Sequence, residues 1–255
     1  MSAAVLQGCN ILVTRPEPDA SRLAEKLRAE GAQAQVFATL KILTLFPKDF
    51  IALALQQSQG IFIFLSKHAV ISVFQNIKEL PQTNTVLAIG PGTAQELAKH
   101  HIKAIIPPKD YNTESLLNLR LLQEVEDRSI FIFAGEEGRT LLQETLDQRG
   151  AKVTVVPVYR RVLQTETPFS LPDWQDNGIN IIITTSGDSL RALIHLTSPE
   201  QHLWLKQQKL LVISERMAEF AKELGFTSEQ LIIAANASDQ GIITALIENK
   251  KKFSV

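Results

Sequence analysis

The residues of this chain that could meet a small acidic molecule are mostly glycines and hydroxyls. Each sits where an apolar run gives way to a helical pattern. In VLAIGPGTAQEL, Val86 to Leu97, the residues Gly90, Pro91, Gly92 and Thr93 offer backbone amides at a helix start and one hydroxyl, a neutral cradle for an anion. No Lys-Ser/Thr pair follows, and the spacing is not the G-x-G-x-x-G of dinucleotide binders. Carboxylates, held by several modest contacts, suit this loop better than nucleotides do. A tight turn running into a helix cap would use the same residues. Thr14-Arg15-Pro16 closes the first apolar run; Arg15 offers a fork for a carboxylate, or a partner for Glu17 or Asp19 beside it. Ser66-Lys67, Thr185-Ser186-Gly187, Ser214 and Ser238 stand at similar junctions, where caps and ligand contacts use the same amides. Thr113-Glu114 recurs as Ser238-Asp239, a capping pattern. Tyr159, one of two tyrosines, can hydrogen-bond and pass a proton, or be a packed amphipathic ring.

Other chemistries lack their residues. The five histidines show no ligand spacing, and with one cysteine a structural zinc site is not expected. His100-His101 are expected near a helix end, facing water. No G-x-S-x-G motif occurs, and no carboxylate pair stands at fixed spacing. Lys plus Arg is 26 and Asp plus Glu 27, a net charge of -1, so no general basic field draws nucleic acid or an anionic membrane. Cys9 has no internal disulfide partner, which fits a reducing cytoplasm. MSAAVLQGCN lacks the basic start and long apolar core of a signal peptide. No apolar run approaches the ~20 residues of a membrane span. A cytoplasmic protein is expected.

The elements that must position these residues are short apolar strands alternating with amphipathic helices, the pattern of parallel sheets covered on both faces. The order is written twice. SIFIFAGEEGRTLLQETLDQRGAKVTVVPVYRRVL lies over NILVTRPEPDASRLAEKLRAEGAQAQVFATLKIL, with Gly31-Ala32 against Gly150-Ala151. Ser66 faces Ser186, Gly90 faces Ser214, and NTESLLNL faces ASDQGIITAL. The offset stays between about 119 and about 125 residues, as loop insertions in a duplication allow. Strands are expected at NILVTR, AQAQVFATL and KAIIPP. Ligands of such sheets sit at the carboxyl ends of the strands, so two facing copies would line one cleft with the junction residues of both.

Several stretches together resemble uroporphyrinogen-III synthases: ILVTRP, GAQAQVFATLKI, IFLSKHAV, AIGPGTAQEL, NTESLL, GEEGRTLLQETLDQRGAKVTVVPVYRR, TTSGDSLRAL and ASDQGIITAL. They cover most of the chain in that family's order. The resemblance implies two flavodoxin-like doubly wound parallel-sheet domains joined by a two-stranded linker. Domain one takes residues 1–38 and 164–255, domain two 43–157, and the crossing strands 39–42 and 158–163. It implies cyclisation of hydroxymethylbilane, a linear tetrapyrrole polycarboxylate, to uroporphyrinogen III, with loss of water and inversion of the last ring, without a metal or organic cofactor; a monomer is expected because the duplicated halves already supply both walls of the cleft. Tyr159 carries over as the residue aiding the leaving hydroxyl, Thr93 as a cleft threonine, and Ser66 and Ser186 as cleft hydroxyls. Ser238 stands where some members have threonine, and ISERMAEF, with Ser214, departs from the Gly/Pro/Thr form of its loop. Two other readings stand beside this one: a non-catalytic two-lobed binder of a carboxylated molecule, and a two-lobed sugar transferase, for which no nucleotide loop is present.

Overall fold

A computed structural model describes residues 5–56, 59–82, 84–137, 140–165 and 171–250. Its strands are β1 (Asn10–Val13), β2 (Gln33–Val36), β3 (Leu40–Thr44), β4 (Ile61–Phe64), β5 (Thr85–Ala88), β6 (Ser129–Gly135), β7 (Lys152–Leu163), β8 (Ile181–Ile183), β9 (Lys209–Val212) and β10 (Leu231–Ile233). Its helices are α1 (Asp19–Ala29), α2 (Lys48–Leu55), α3 (Lys67–Phe74), α4 (Pro91–Ala98), α5 (Thr113–Leu117), α6 (Leu141–Gln148), α7 (Leu171–Asp176), α8 (Gly187–His195), α9 (Pro199–Leu205), α10 (Glu215–Glu223) and α11 (Asp239–Glu248). The chain divides into two units, one of Met1–Lys41 with Val162–Val255, the other of Ile42–Arg161.

In the first unit the strand order is β10-β9-β8-β1-β2, with every neighbour parallel. Successive side chains of a strand leave by opposite faces, and here both faces are covered. Ile11, Val13, Ile181 and Ile183 pack with Leu23 and Leu27 of α1 and Ile242 and Leu246 of α11. Leu12, Ile182, Leu210 and Val212 pack on the other face with Leu190 and Leu193 of α8, Ala218 and Ala221 of α10, Leu205 of α9 and Trp174 of α7. That double burial is why the strands are continuous apolar runs.

The second unit has the order β3-β7-β6-β4-β5. Phe62, Phe64, Phe131 and Phe133 share one face with Val70 and Val73 of α3, Leu97 of α4 and Ile51 of α2; the Phe64 and Phe133 rings stack at 4.7 Å. Ile61, Ile63, Ile130 and Ile132 face Leu116 of α5 and Leu142 and Leu146 of α6. Read from β6, this sheet repeats the first: β7-β6-β4-β5 corresponds to β2-β1-β8-β9. Both follow the flavodoxin-like order, which reverses between β1 and β8 in one unit and between β6 and β4 in the other. The fold is two doubly wound, mostly parallel sheets, and the chain crosses between the units twice, within the neighbouring strands β3 and β7.

The duplication extends to the helix ends. Gly31 (φ 92°) and Gly150 (φ 81°) are left-handed. Ala32 N donates to Leu27 O and Gly31 N to Arg28 O; Ala151 N donates to Leu146 O and Gly150 N to Asp147 O. These are two copies of one Schellman closure.

Two expected strands differ. KAIIPP is reduced to a single bridge, Ile105 with Leu87, because Pro107 and Pro108 have no amide to extend the ladder. AQAQVFATL is not one strand. β2 stops at Val36, and the chain changes sheet before β3 begins at Leu40.

Candidate functional site

In the second unit the site begins with a defect in a ladder. The β6–β7 register runs regularly to Ala134 opposite Pro157, then slips so that Gly135 pairs with Tyr159. The extra residue on β7 is a bulge, and a bulge re-aims the side chains beyond it. Val156 and Val158 lie on the phenylalanine face by ordinary alternation, and Tyr159, the next residue, is buried on that same face. Its ring lies at the carboxyl ends of β6 and β4, where the strand order reverses.

Ser66, directly after β4, caps α3 and accepts from Ala69 N at 3.1 Å. Its Oγ donates to Tyr159 Oη at 3.1 Å. Arg161 brings a guanidinium nitrogen to within 3.4 Å of the same oxygen, with its carbon 5.6 Å from the ring centre. The His68 ring centre lies 5.9 Å from that of Tyr159. Both contacts are received by the phenol oxygen, so the phenol's own hydrogen is spent on neither. Lys67 opens α3 beside this group.

Gly90 is the extended cap residue of α4 and has no side-chain capping bond; Pro91 follows at the first turn. Thr93 is buried in that turn. The ring of Tyr111, half exposed, stands over Gly90 so closely that a Cβ there would lie 2.9 Å from Tyr111 Cβ. Sequence reasoning did not single out Tyr111, Gly135 or Arg161. For Gly135 a signal exists: a glycine closing the apolar run Ile130 to Ala134.

In the first unit Ser186, Ser214 and Ser238 are all helix caps, accepting from the amides of Ser189, Met217 and Gly241. Ser186 also donates to Ser189 Oγ at 2.9 Å, and Ser238 to Asn236 Oδ1 at 2.5 Å. Thr113 is not a cap: Asn112 accepts from Ser115 N, and Thr113 is the first helical residue. Thr14 and Arg15 are bonded into the framework of the strand end. Thr14 is wholly buried, and its hydroxyl donates to Ile183 O across the β1–β8 ladder. Arg15 is buried and pairs with Asp239 at 3.0 Å, rather than with Glu17 or Asp19. Arg22 and Lys26 reach the same carboxylate at 2.9 and 2.8 Å. Burial raises the Asp239 pKa, but hydrogen bonds from Arg22 and Lys26 and the charges of Arg22 and Arg15 outweigh it, holding the carboxyl at about 2. His100 stacks on Phe74 at 3.9 Å and is half-buried, while His101 beside it is exposed.

Among the described residues, no group of three or more His, Cys, Asp or Glu is arranged to hold a metal ion. Nor is any helix there long and apolar enough to cross a membrane.

Paired flavodoxin-like sheets, with capped helix starts and a hydrogen-bonded phenol at a strand-order reversal, define a two-unit α/β protein of the kind that takes ligands at strand ends. The family model for uroporphyrinogen-III synthase HemD matches residues 21–244. The chain is 32% identical over 247 residues to uroporphyrinogen-III synthase of Escherichia coli (strain K12), covering 93% of this chain and 99% of that one. It is 33% identical over 249 residues to that of Salmonella typhimurium (strain LT2), with the same coverage. Among solved structures, uroporphyrinogen-III synthetase from Helicobacter pylori 26695 aligns with TM-score 0.63 and 18% identity, over 94% of this chain and 99% of that one. A mutant uroporphyrinogen III synthase from the extremely thermophilic bacterium Thermus thermophilus aligns with TM-score 0.62 and 18% identity, over 96% and 98%. The chain belongs to the uroporphyrinogen-III synthase family.

Proposed function

We infer that the chain cyclises hydroxymethylbilane to uroporphyrinogen III, as a hydro-lyase of haem biosynthesis. The observation that carries this is the Tyr159 phenol, which receives hydrogen bonds from Ser66 and Arg161 and keeps its own proton to give. In the reaction that proton passes to the departing hydroxyl, which leaves as water. The tail ring then attacks the freed methylene through its substituted carbon, giving a spiro intermediate; the older bond at that carbon breaks and re-forms at the ring's free carbon, inverting the ring, and the proton lost from that carbon restores the phenol. Unassisted closure gives the other isomer, so the protein's task is to hold the linear tetrapyrrole in the productive geometry, catalysis by positioning.

Ser66, Lys67, Gly90 and Thr93 in one unit, and Ser186, Ser214 and Ser238 in the other, are read as contacts for the substrate's acetate and propionate arms. Their support is that each stands at a helix start after a strand end, where backbone amides favour anions. Thr14 and Arg15, beyond the end of β1, are read with these contacts and frame that edge from within. The units are read as the family's domains, residues 1–38 with 164–255 and residues 43–157, joined through 39–42 and 158–163. The enzyme is read as a cytoplasmic monomer, which sedimentation at working concentration checks. The comparisons do not favour the non-catalytic binder. The test is to supply freshly made hydroxymethylbilane and resolve the I and III isomers: enrichment of III is expected, whereas retention of ligand without product would return the protein to the binder class.

A further inference from the structure

Gly135, the last residue of β6, is paired with Tyr159 across the bulge. It is not among the left-handed residues, so its backbone would admit any side chain. What calls for glycine is space. A Cβ on Gly135 would stand 2.9 Å from Tyr159 Cζ, 3.0 Å from Cε2 and 3.2 Å from Oη. The atoms met are those of the phenol end. The ring is 3% exposed and walled by the phenylalanine face, so it can yield only by carrying its oxygen away from Ser66 Oγ and Arg161. Those bonds are 3.1 and 3.4 Å long, and the longer has no room to stretch before it ceases to be a hydrogen bond.

We propose that Gly135 is a positioning residue for Tyr159: its missing side chain lets the phenol lie against the strand end and fixes where the phenol oxygen stands. This rests on the reading of Tyr159 as proton donor, and it adds a steric requirement to that reading.

The test compares Gly135→Ala, Tyr159→Phe and the double variant, each with kcat, KM, isomer ratio and thermal midpoint. Gly135→Ala is expected to lower kcat by about 10- to 100-fold, the scale of a small misplacement, with KM changed by less than about threefold. Placed on Tyr159→Phe, the same change should lower kcat by less than about twofold, because the oxygen it displaces is gone. Equal losses in both backgrounds, or an unchanged kcat for Gly135→Ala, would overturn the proposal. Should Gly135→Ala fail to fold, Gly135→Ala with Tyr159→Leu removes the ring. Recovery of a cooperative melt supports the steric contact, and no recovery overturns it. A separate readout needs no activity. In a Tyr111→Phe background Tyr159 is the one tyrosine, and its NMR ring signals should move in Gly135→Ala; unmoved signals sink the proposal. A wild-type rate in Tyr159→Phe would instead remove the proton-donor reading, leaving the ring signals to judge the contact alone.

Discussion

Tyr159 and Ser66 form the smallest unit of the proposed reading. Replacing the phenol by phenyl keeps the packed ring among the phenylalanines and removes only the oxygen. Tyr159→Phe is therefore expected to slow formation of the III isomer by about 10²-fold or more, the scale of a lost general acid, with the thermal midpoint nearly unchanged. A stopped assay with isomer separation measures this, and a rate within twofold of wild type would end the catalytic role. Ser66→Ala removes two bonds at once, the α3 cap and the donor to Tyr159 Oη. The cap loss is worth about 1 kcal/mol of stability, read by denaturant unfolding. The activity loss should be smaller than that of Tyr159→Phe, because Arg161 still reaches the oxygen.

At the level of elements, the duplicated helix closures carry a prediction of their own. Gly31 and Gly150 hold left-handed backbone at matched positions. An L side chain in that region costs about 1–2 kcal/mol, so Gly31→Ala should lower the melting midpoint by a few degrees. Gly150→Ala should cost at least this much, since its Cβ would also meet Glu126 Cγ at 3.2 Å. A midpoint unchanged in either variant would show that the closure does not require glycine there. The β7 bulge acts at the same scale: a single extra residue brings Tyr159 onto the buried face, where regular pleating would turn it away.

At the level of the whole chain, the first unit is discontinuous, and ion pairs join its two segments. Asp239 from the second segment binds Arg15, Arg22 and Lys26 from the first. Its carboxyl is held at about 2, below the ordinary 3.8. A depressed folded-state pKa gives stability that is full above the ordinary value and is lost as pH falls through the folded one. The protein should therefore lose about 1–2 kcal/mol between pH about 4 and pH about 2 from this group, measured by urea unfolding across that range. Asp239→Asn should remove that part of the acid dependence. At neutral pH the variant should cost about 3 kcal/mol, because the buried Arg15 then lacks its counter-charge. An acid dependence identical in wild type and Asp239→Asn would show that the cluster does not join the segments.

Much of this was legible in residue order. Apolar runs, glycine closures and the matched halves determine two doubly wound sheets, because local periodicity and chain-neighbour chemistry are written in adjacent residues. The serines at strand ends were legible as caps for the same reason. What only the tertiary structure decided involves partners far apart along the chain. Arg15 meets Asp239, not its neighbours Glu17 and Asp19, and Thr14 turns its hydroxyl to Ile183. Gly135 lies under a ring 24 positions later because one residue is bulged out of a ladder. Register and space are set by the packing of whole sheets, and no run of neighbouring residues encodes them by itself.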